Sequence, residues 1–167
     1  MILDENMSLQ EYWEKRDFEK TREPKGNEKN DRGSIYVIQK HQATHLHYDL
    51  RLEMDGVLKS WAVPKTPPTE SGVKRLAVQV EDHPVGYADF EGTIPEGQYG
   101  AGTVEIWDKG QYVLKSRKES KLVFEIRGHK LKGVYCLVRF KEKKNWLFFK
   151  KNPEFSKIKK NNRSPQR

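Results

Sequence analysis

The sequence predicts a mainly β fold, a compact closed or partly closed β-barrel preceded by a short N-terminal helix. Three observations predict it. From Ile35 onward, short runs rich in Val, Ile, Tyr, Phe and Trp are separated by Gly, Pro and Asp turns at the spacing of an all-β sandwich or barrel. Residues 45–54 alternate polar and apolar without a break, the period of a strand with two distinct faces. Asp55-Gly56 is the composition of a two-residue type I′ hairpin, whose two central positions both need positive φ. The 167 residues suit one ordinary domain with a core of its own.

At the N-terminus, Ser8-Leu9-Gln10-Glu11 has the form of a capping box, and Leu9, Tyr12 and Trp13 follow at helical spacing, which predicts a helix over roughly 9–17. Residues 22–33 contain two Gly, one Pro and almost nothing apolar, which predicts a mobile loop, so that 1–33 form helix and linker. Within a barrel domain of residues 34–150, strands are expected near 35–40, 45–54, 57–63, 75–81, 103–107, 111–116, 121–127, 133–140 and 145–150. Asp108-Lys109-Gly110 and the stretch 128–132 read as further hairpin connections, and 82–102 as a long loop over the barrel. No internal repeat is present.

The net charge of +8 is entirely local: residues 141–167 hold ten Lys or Arg against two acidic residues, while the preceding 140 balance at 22 each. Residues 151–167 are therefore expected to be a basic, disordered tail that either contacts phosphates or is simply solvated. The single Cys136 lies in an apolar run, which excludes a disulfide within the chain and fits a reducing compartment. With no apolar run of signal or membrane-span length, the expected location is cytoplasmic, with no membrane contact.

On the alternating segment, His45, His47, Asp49, Arg51 and Glu53 share one face, and Leu46, Tyr48, Leu50, Leu52 and Met54 the other. Imidazole and carboxylate two residues apart on one strand face can converge on a divalent cation, and His41 at the end of the preceding strand can add a third ligand. A His2Asp set with open positions suits Mn²⁺, Zn²⁺ or Fe²⁺. Arg51 follows about 7 Å beyond Asp49 by strand rise, where a guanidinium can grip a phosphate. His45 reads either as solvent-facing or as supporting, and Glu53 either as orienting its neighbours or as capping the hairpin. A second cluster, Glu81, His83 and Tyr87, ends the strand that begins near Arg75; His83 is either a proton donor to a leaving oxygen or a structural histidine. The Gly-rich run from Glu91 to Gly102 lacks the Lys-Ser/Thr ending of a P-loop, and its glycines either bring Glu96 or Gln98 to the cavity or let the barrel close. No Gly-x-Ser-x-Gly and no paired-cysteine metal motif occur.

These motifs, Val37-Ile38-Gln39-Lys40-His41, Leu46-His47-Tyr48-Asp49-Leu50-Arg51-Leu52-Glu53, Leu58-Lys59-Ser60-Trp61-Ala62-Val63-Pro64-Lys65, Glu81-Asp82-His83-Pro84 and the run Tyr87 to Gly100, resemble the 3′-phosphoesterase domain of bacterial DNA ligase D and its free-standing bacterial and archaeal relatives. The likeness extends over roughly residues 8–150. It implies a compact β-barrel, a Mn²⁺-favouring site with Zn²⁺ or Co²⁺ as alternatives, and processing that releases a 3′ ribonucleoside and then the 3′-phosphate. It places His41, His47 and Asp49 on the metal ligands; Arg51, His83 and Tyr87 on the phosphate and catalytic contacts; Arg75 and Arg16 on substrate contacts; and Glu81 in support, where the strand pattern also puts Glu53 and His45. The implied partners are nucleic acid 3′ ends and, because 167 residues leave no room for a polymerase or ligase module, separate enzymes of that kind, with a monomer expected. The competing reading is a non-catalytic barrel that binds single strands on basic and aromatic residues. A small-molecule barrel with a bound metal would leave the basic tail unexplained.

Overall fold

A computed structural model describes residues 8–26, 34–141 and 143–153. The expected basic tail therefore falls almost wholly outside the described residues, as does the 27–33 part of the N-terminal loop. Nine strands follow the helix α1 (Gln10–Glu14): β1 (Ile35–Gln42), β2 (Leu46–Met54), β3 (Val57–Val63), β4 (Lys74–His83), β5 (Gly92–Ile94), β6 (Gly102–Lys118), β7 (Lys121–Arg127), β8 (Lys132–Arg139) and β9 (Asn145–Lys150). A 3-10 helix, Val85–Asp89, links β4 to β5. Among the described residues no helix is long and apolar enough to cross a membrane.

Eight strands pair in the order β1-β2-β3-β4-β9-β8-β7-β6, and β6 returns to β1, so the antiparallel barrel is closed. Closure removes every edge except the outer rim, where the short β5 pairs with the start of β6. The lumen is filled by the inward half of each alternating strand: Tyr36 and Ile38, Leu50 and Leu52, Trp61, Phe124, Tyr135 and Phe148. A second apolar layer lies on the outer face of β1, β3 and β6, where Val37, Leu58 and Val104 are covered by Tyr12 of α1, by Val85 and Tyr87 of the 3-10 helix, and by Phe90 and Ile94. The wall formed by β1, β2 and β3 is thus buried on both sides, which allows charged residues on its outer face to be withdrawn from water.

Asp55 (φ 58) and Gly56 (φ 80) form the expected positive-φ hairpin. Several expectations are corrected. The N-terminal helix is shorter than 9–17, and its N-cap is Leu9, with no side-chain cap. The expected loop 82–102 holds the end of β4, the 3-10 helix and β5. Asp108-Lys109-Gly110 is no hairpin: β6 runs through it as one strand, and the pairing with β1 shifts register between Ile38 and Gln39 instead. Gly110 serves close approach rather than a turn, because a Cβ there would lie 2.1 Å from the Arg127 carbonyl oxygen. Asp108 points to the β7–β8 connection, where its carboxylate accepts from the backbone N–H groups of His129 (2.8 Å), Lys130 (2.9 Å) and Leu131 (3.0 Å) and from the Tyr36 hydroxyl (2.8 Å).

Burial alone would raise the Asp108 carboxyl, but these donors outweigh it and hold the group below the usual carboxylate range. Removing that acceptor orphans several donors, so Asp108→Ala is expected to cost about 2–3 kcal/mol in urea unfolding. A depressed folded pKa contributes stability that is present above about pH 4 and lost as pH falls through the folded value. Asp108→Asn should therefore lose less stability than the wild type between about pH 4 and pH 2.

Candidate active site

The charged outer face of β2 lies under the N-terminal segment and the 94–100 turn, in a cavity of about 310 Å³. Arg16, His41, His47, Asp49, Arg51, Glu81, His83, Tyr87, Tyr99 and Gly100 line it. His41 and His47 face each other across the β1–β2 ladder, Gln39 lies opposite Asp49, and Arg51 lies opposite Ser60 of β3.

Ligand atoms of His41, His47 and Asp49 lie within 4.8 Å of one another. His41 Nε2 is 2.7 Å from the Gly100 carbonyl oxygen and His47 Nδ1 is 3.2 Å from that of His45. A carbonyl can only accept, so each of these nitrogens carries the hydrogen. The other ring nitrogens, in neutral imidazoles, then direct lone pairs at Asp49: His41 Nδ1 is 3.6 Å from Oδ2 and His47 Nε2 is 3.3 Å from Oδ1. Two lone pairs aimed at a carboxylate repel it unless a positive charge sits among them. The three residues fit a divalent cation on this ground, and the two carbonyls supply the outer contacts that fix the ring orientations. Although burial opposes a positive ring, Asp49 raises the His47 pKa. Asp49 itself is held far below the usual carboxylate range: burial pushes up, but Arg51, His41 and His47 pull harder.

Arg51 is 3% exposed and every arm is engaged. Nε donates to Gln39 Oε1 (2.6 Å), Nη1 donates to Ser60 Oγ (2.9 Å), and Nη2 lies 3.5 Å from Asp49 Oδ2. Its guanidinium stands 4.8 Å from the centre of the Tyr87 ring. Arg16 reaches the same cavity from beyond α1, bonding Glu23 through Nε (3.0 Å) and Glu81 through Nη1 (3.4 Å). Its Nη2 donates to His83 Nε2 (3.4 Å), while His83 Nδ1 donates to the Glu81 carbonyl (3.0 Å). Burial and then the two guanidiniums press the His83 pKa well below that of free imidazole, so the ring is neutral. Burial and Glu23 keep the Tyr87 phenol protonated, and its hydroxyl donates to Glu23 (2.7 Å).

The structure thus brings together Arg16, His41, His47, Asp49, Arg51, Glu81, His83 and Tyr87. It does not bring in the rest. Arg75 lies opposite Phe148 on the other face of β4 and donates to the Thr66 carbonyl (2.7 Å). Glu53 is buried and accepts from the Ile35 N–H (3.2 Å), so it anchors the start of β1. His45 precedes β2, its side chain is exposed, and only its carbonyl serves the site. From the Gly-rich run, Ile94, Tyr99 and Gly100 line the cavity, whereas Glu96 and Gln98 do not. Sequence reasoning missed Glu23, Gln39 and Ser60. The register of the Asp55-Gly56 hairpin does place Ser60 opposite Arg51, and Gln39 shares the face of His41, but nothing in the polar 22–33 run marks Glu23. The aromatic surface a strand-binding barrel would need is largely internal: Trp61 and Trp146 are 1% and 4% exposed.

Comparison with known proteins agrees with this geometry. Residues 39–139 match the DNA ligase D 3′-phosphoesterase domain family. The multifunctional non-homologous end joining protein LigD of Pseudomonas aeruginosa is 52% identical over 139 residues, covering 78% of this chain and 16% of that protein. The proteins of the same name from Mycobacterium bovis and Mycolicibacterium smegmatis are 45% and 43% identical over 78% and 83% of this chain. The chain spans only 18% and 20% of their lengths. With the matched segment running from the Gln39 that holds Arg51 to the last residue of β8, the chain belongs to the DNA ligase D 3′-phosphoesterase domain family.

Proposed function

We propose that the chain is a divalent-metal-dependent, 3′-end-processing phosphoesterase of DNA repair. It cleaves the diester that holds a 3′-terminal ribonucleoside and then removes the 3′-phosphate, leaving a 3′-hydroxyl on a primer strand. The observation that carries this reading is the convergence, in one cavity, of the His41/His47/Asp49 donor set with Arg16, Arg51 and His83. Family membership supports it.

His41 Nδ1, His47 Nε2 and an Asp49 oxygen would hold the ion, with Mn²⁺ expected first and Zn²⁺ or Co²⁺ as alternatives. A bound cation supplies Lewis-acid polarisation of the phosphoryl oxygens and lowers the pKa of a coordinated water. Charge balance fits this substrate. Arg16 and Arg51 offset Glu23 and Asp49, and Lys15 is shared between Glu81 and Glu11, so a divalent ion would add the positive charge that a phosphate needs. Arg51 and Arg16 are placed to neutralise non-bridging oxygens as negative charge builds. The Gln39, Ser60 and Tyr87 contacts hold Arg51 in place beforehand, and Glu23 does the same for Arg16 and Tyr87. His83 is neutral in the empty cavity; an adjacent phosphate dianion favours its protonated form, which suits Nε2 to hand a proton to the leaving oxygen.

The test is a labelled primer-template ending in one 3′ ribonucleotide, incubated with Mn²⁺, Zn²⁺, Co²⁺, Mg²⁺ or EDTA and resolved by gel. Shortening to a 3′-phosphate and then a 3′-hydroxyl, abolished by EDTA, is expected; an intact strand with every metal overturns the reading. His47→Ala and Asp49→Ala should lose both steps together with Mn²⁺ binding by calorimetry. Arg51→Ala should lose about 100-fold or more in kcat while Mn²⁺ still binds. Because Asp49 raises the His47 pKa, protons compete for that ring from above the ordinary imidazole value, and Mn²⁺ affinity should weaken progressively as pH is lowered from there.

A further inference from the structure

The cavity, at about 310 Å³, is at the bottom of the range for ligand sites, and its lining combines charged groups with small aliphatic side chains. It has room for a phosphate and its sugar, whereas a flat nucleobase finds no open aromatic face inside: the apolar lining is aliphatic, Ala43, Ala62, Val80 and Ile94, and the Tyr87 ring is buried against Arg51 and His83. A base attached to that phosphate must lie at the rim. Of the residues lining the cavity, Tyr99 is the one that stands open to solvent, at 49% exposed, and it is aromatic. Two cations tether the ring at the rim: Lys15 Nζ is 4.7 Å from its centre and the Arg16 guanidinium 5.5 Å. The next residue, Gly100, lends its carbonyl to His41 at 2.7 Å. The ring is therefore at a set distance from both the metal ligands and the phosphate-facing guanidinium.

We propose that Tyr99 is the stacking platform for the nucleobase of the nucleoside that carries the phosphate in the cavity. This nucleoside is present in both the diester and the monoester substrate. An aromatic platform reads a base face rather than its edges, so it accepts any base and fixes the strand end in register with the donor set. The proposal rests on the phosphoesterase reading, and wild-type activity in the gel assay tests that reading by itself.

The proposal is tested with Tyr99→Ala, Tyr99→Phe and Tyr99→Trp on two strands, one ending in a 3′-phosphate and one in a 3′ ribonucleoside. In matching strands the phosphate-bearing nucleoside is made abasic. For base-containing strands, Tyr99→Ala is expected to raise KM about tenfold in both reactions with kcat little changed, and Tyr99→Phe and Tyr99→Trp to restore it. For abasic strands, the wild type should show the same raised KM and Tyr99→Ala should add nothing further. Mn²⁺ affinity by calorimetry should be equal in all four proteins, which separates loss of stacking from displacement of Gly100 and His41. An unchanged KM in Tyr99→Ala, an effect limited to the diester, or equal effects on base-containing and abasic strands would each overturn the proposal while leaving the phosphoesterase reading intact.

Discussion

The site depends on one constraint: the Asp49 and Arg51 charges, 6% and 3% exposed, have been taken out of water on the outer wall of a barrel. Ions so placed are stable only when each charge and each donor has a partner. Arg51 meets that demand through Gln39, Ser60, Asp49 and the face of Tyr87, which ties β1, β2, β3 and the 3-10 helix into one unit. The same demand draws in the N-terminal segment. Arg16 pairs with Glu81 and Glu23, Glu23 receives the Tyr87 hydroxyl, and α1 buries Tyr12 over the outer apolar layer. Among the described residues the N-terminal part of this roof is held to the barrel by ion pairs and aromatic packing, whereas the 94–100 turn is joined to it by the β5–β6 ladder.

Burial of these groups also sets their chemistry. A surface carboxylate between two imidazoles would be screened by water, but here Asp49 stays ionised and, in neutral imidazoles, the two ring nitrogens facing it present lone pairs. A divalent cation among the three suits this arrangement. Burial and the two guanidiniums also keep His83 neutral, so an anion that offset those charges would favour its protonated form. Stability of the barrel is largely a separate matter. Its lumen is apolar, and the Asp108 carboxylate that secures the β7–β8 connection to Tyr36 belongs to the lumen-facing network, apart from the cavity.

Membership of the DNA ligase D 3′-phosphoesterase domain family is consistent with a division of labour between these two regions. The P. aeruginosa, M. bovis and M. smegmatis relatives are several times longer than the segment they share with this chain. The matched residues 39–139 contain β2 to β8, the second half of β1 and the His41/His47/Asp49 donor set, while β9 and Arg16 lie outside them.

The sequence alone determined the strand alternation of residues 46–54, the positive-φ turn at Asp55-Gly56, and the convergence of His41, His47, Asp49 and Arg51, because each follows from a local period or from a register one hairpin wide. Arg16 came from likeness to a family, His83 and Tyr87 stood in a second cluster whose role that likeness assigned, and tertiary structure gathered all three. Only tertiary structure could reveal that Asp108-Lys109-Gly110 continues a strand, since the same Asp and Gly that make turns also serve as a carboxylate cap and a close backbone contact. It moved Arg75 away from the cavity, because the irregular pairing of β3 with β4 between Leu58 and Ser60 breaks the simple alternation by which Arg75 would share a face with Glu81 and His83. It also brought Glu23 from a featureless polar run into the centre of the charge network, 64 residues from Tyr87. Local patterns encode which side of a strand a residue faces; which distant charge compensates it is settled only when the chain closes and water is excluded.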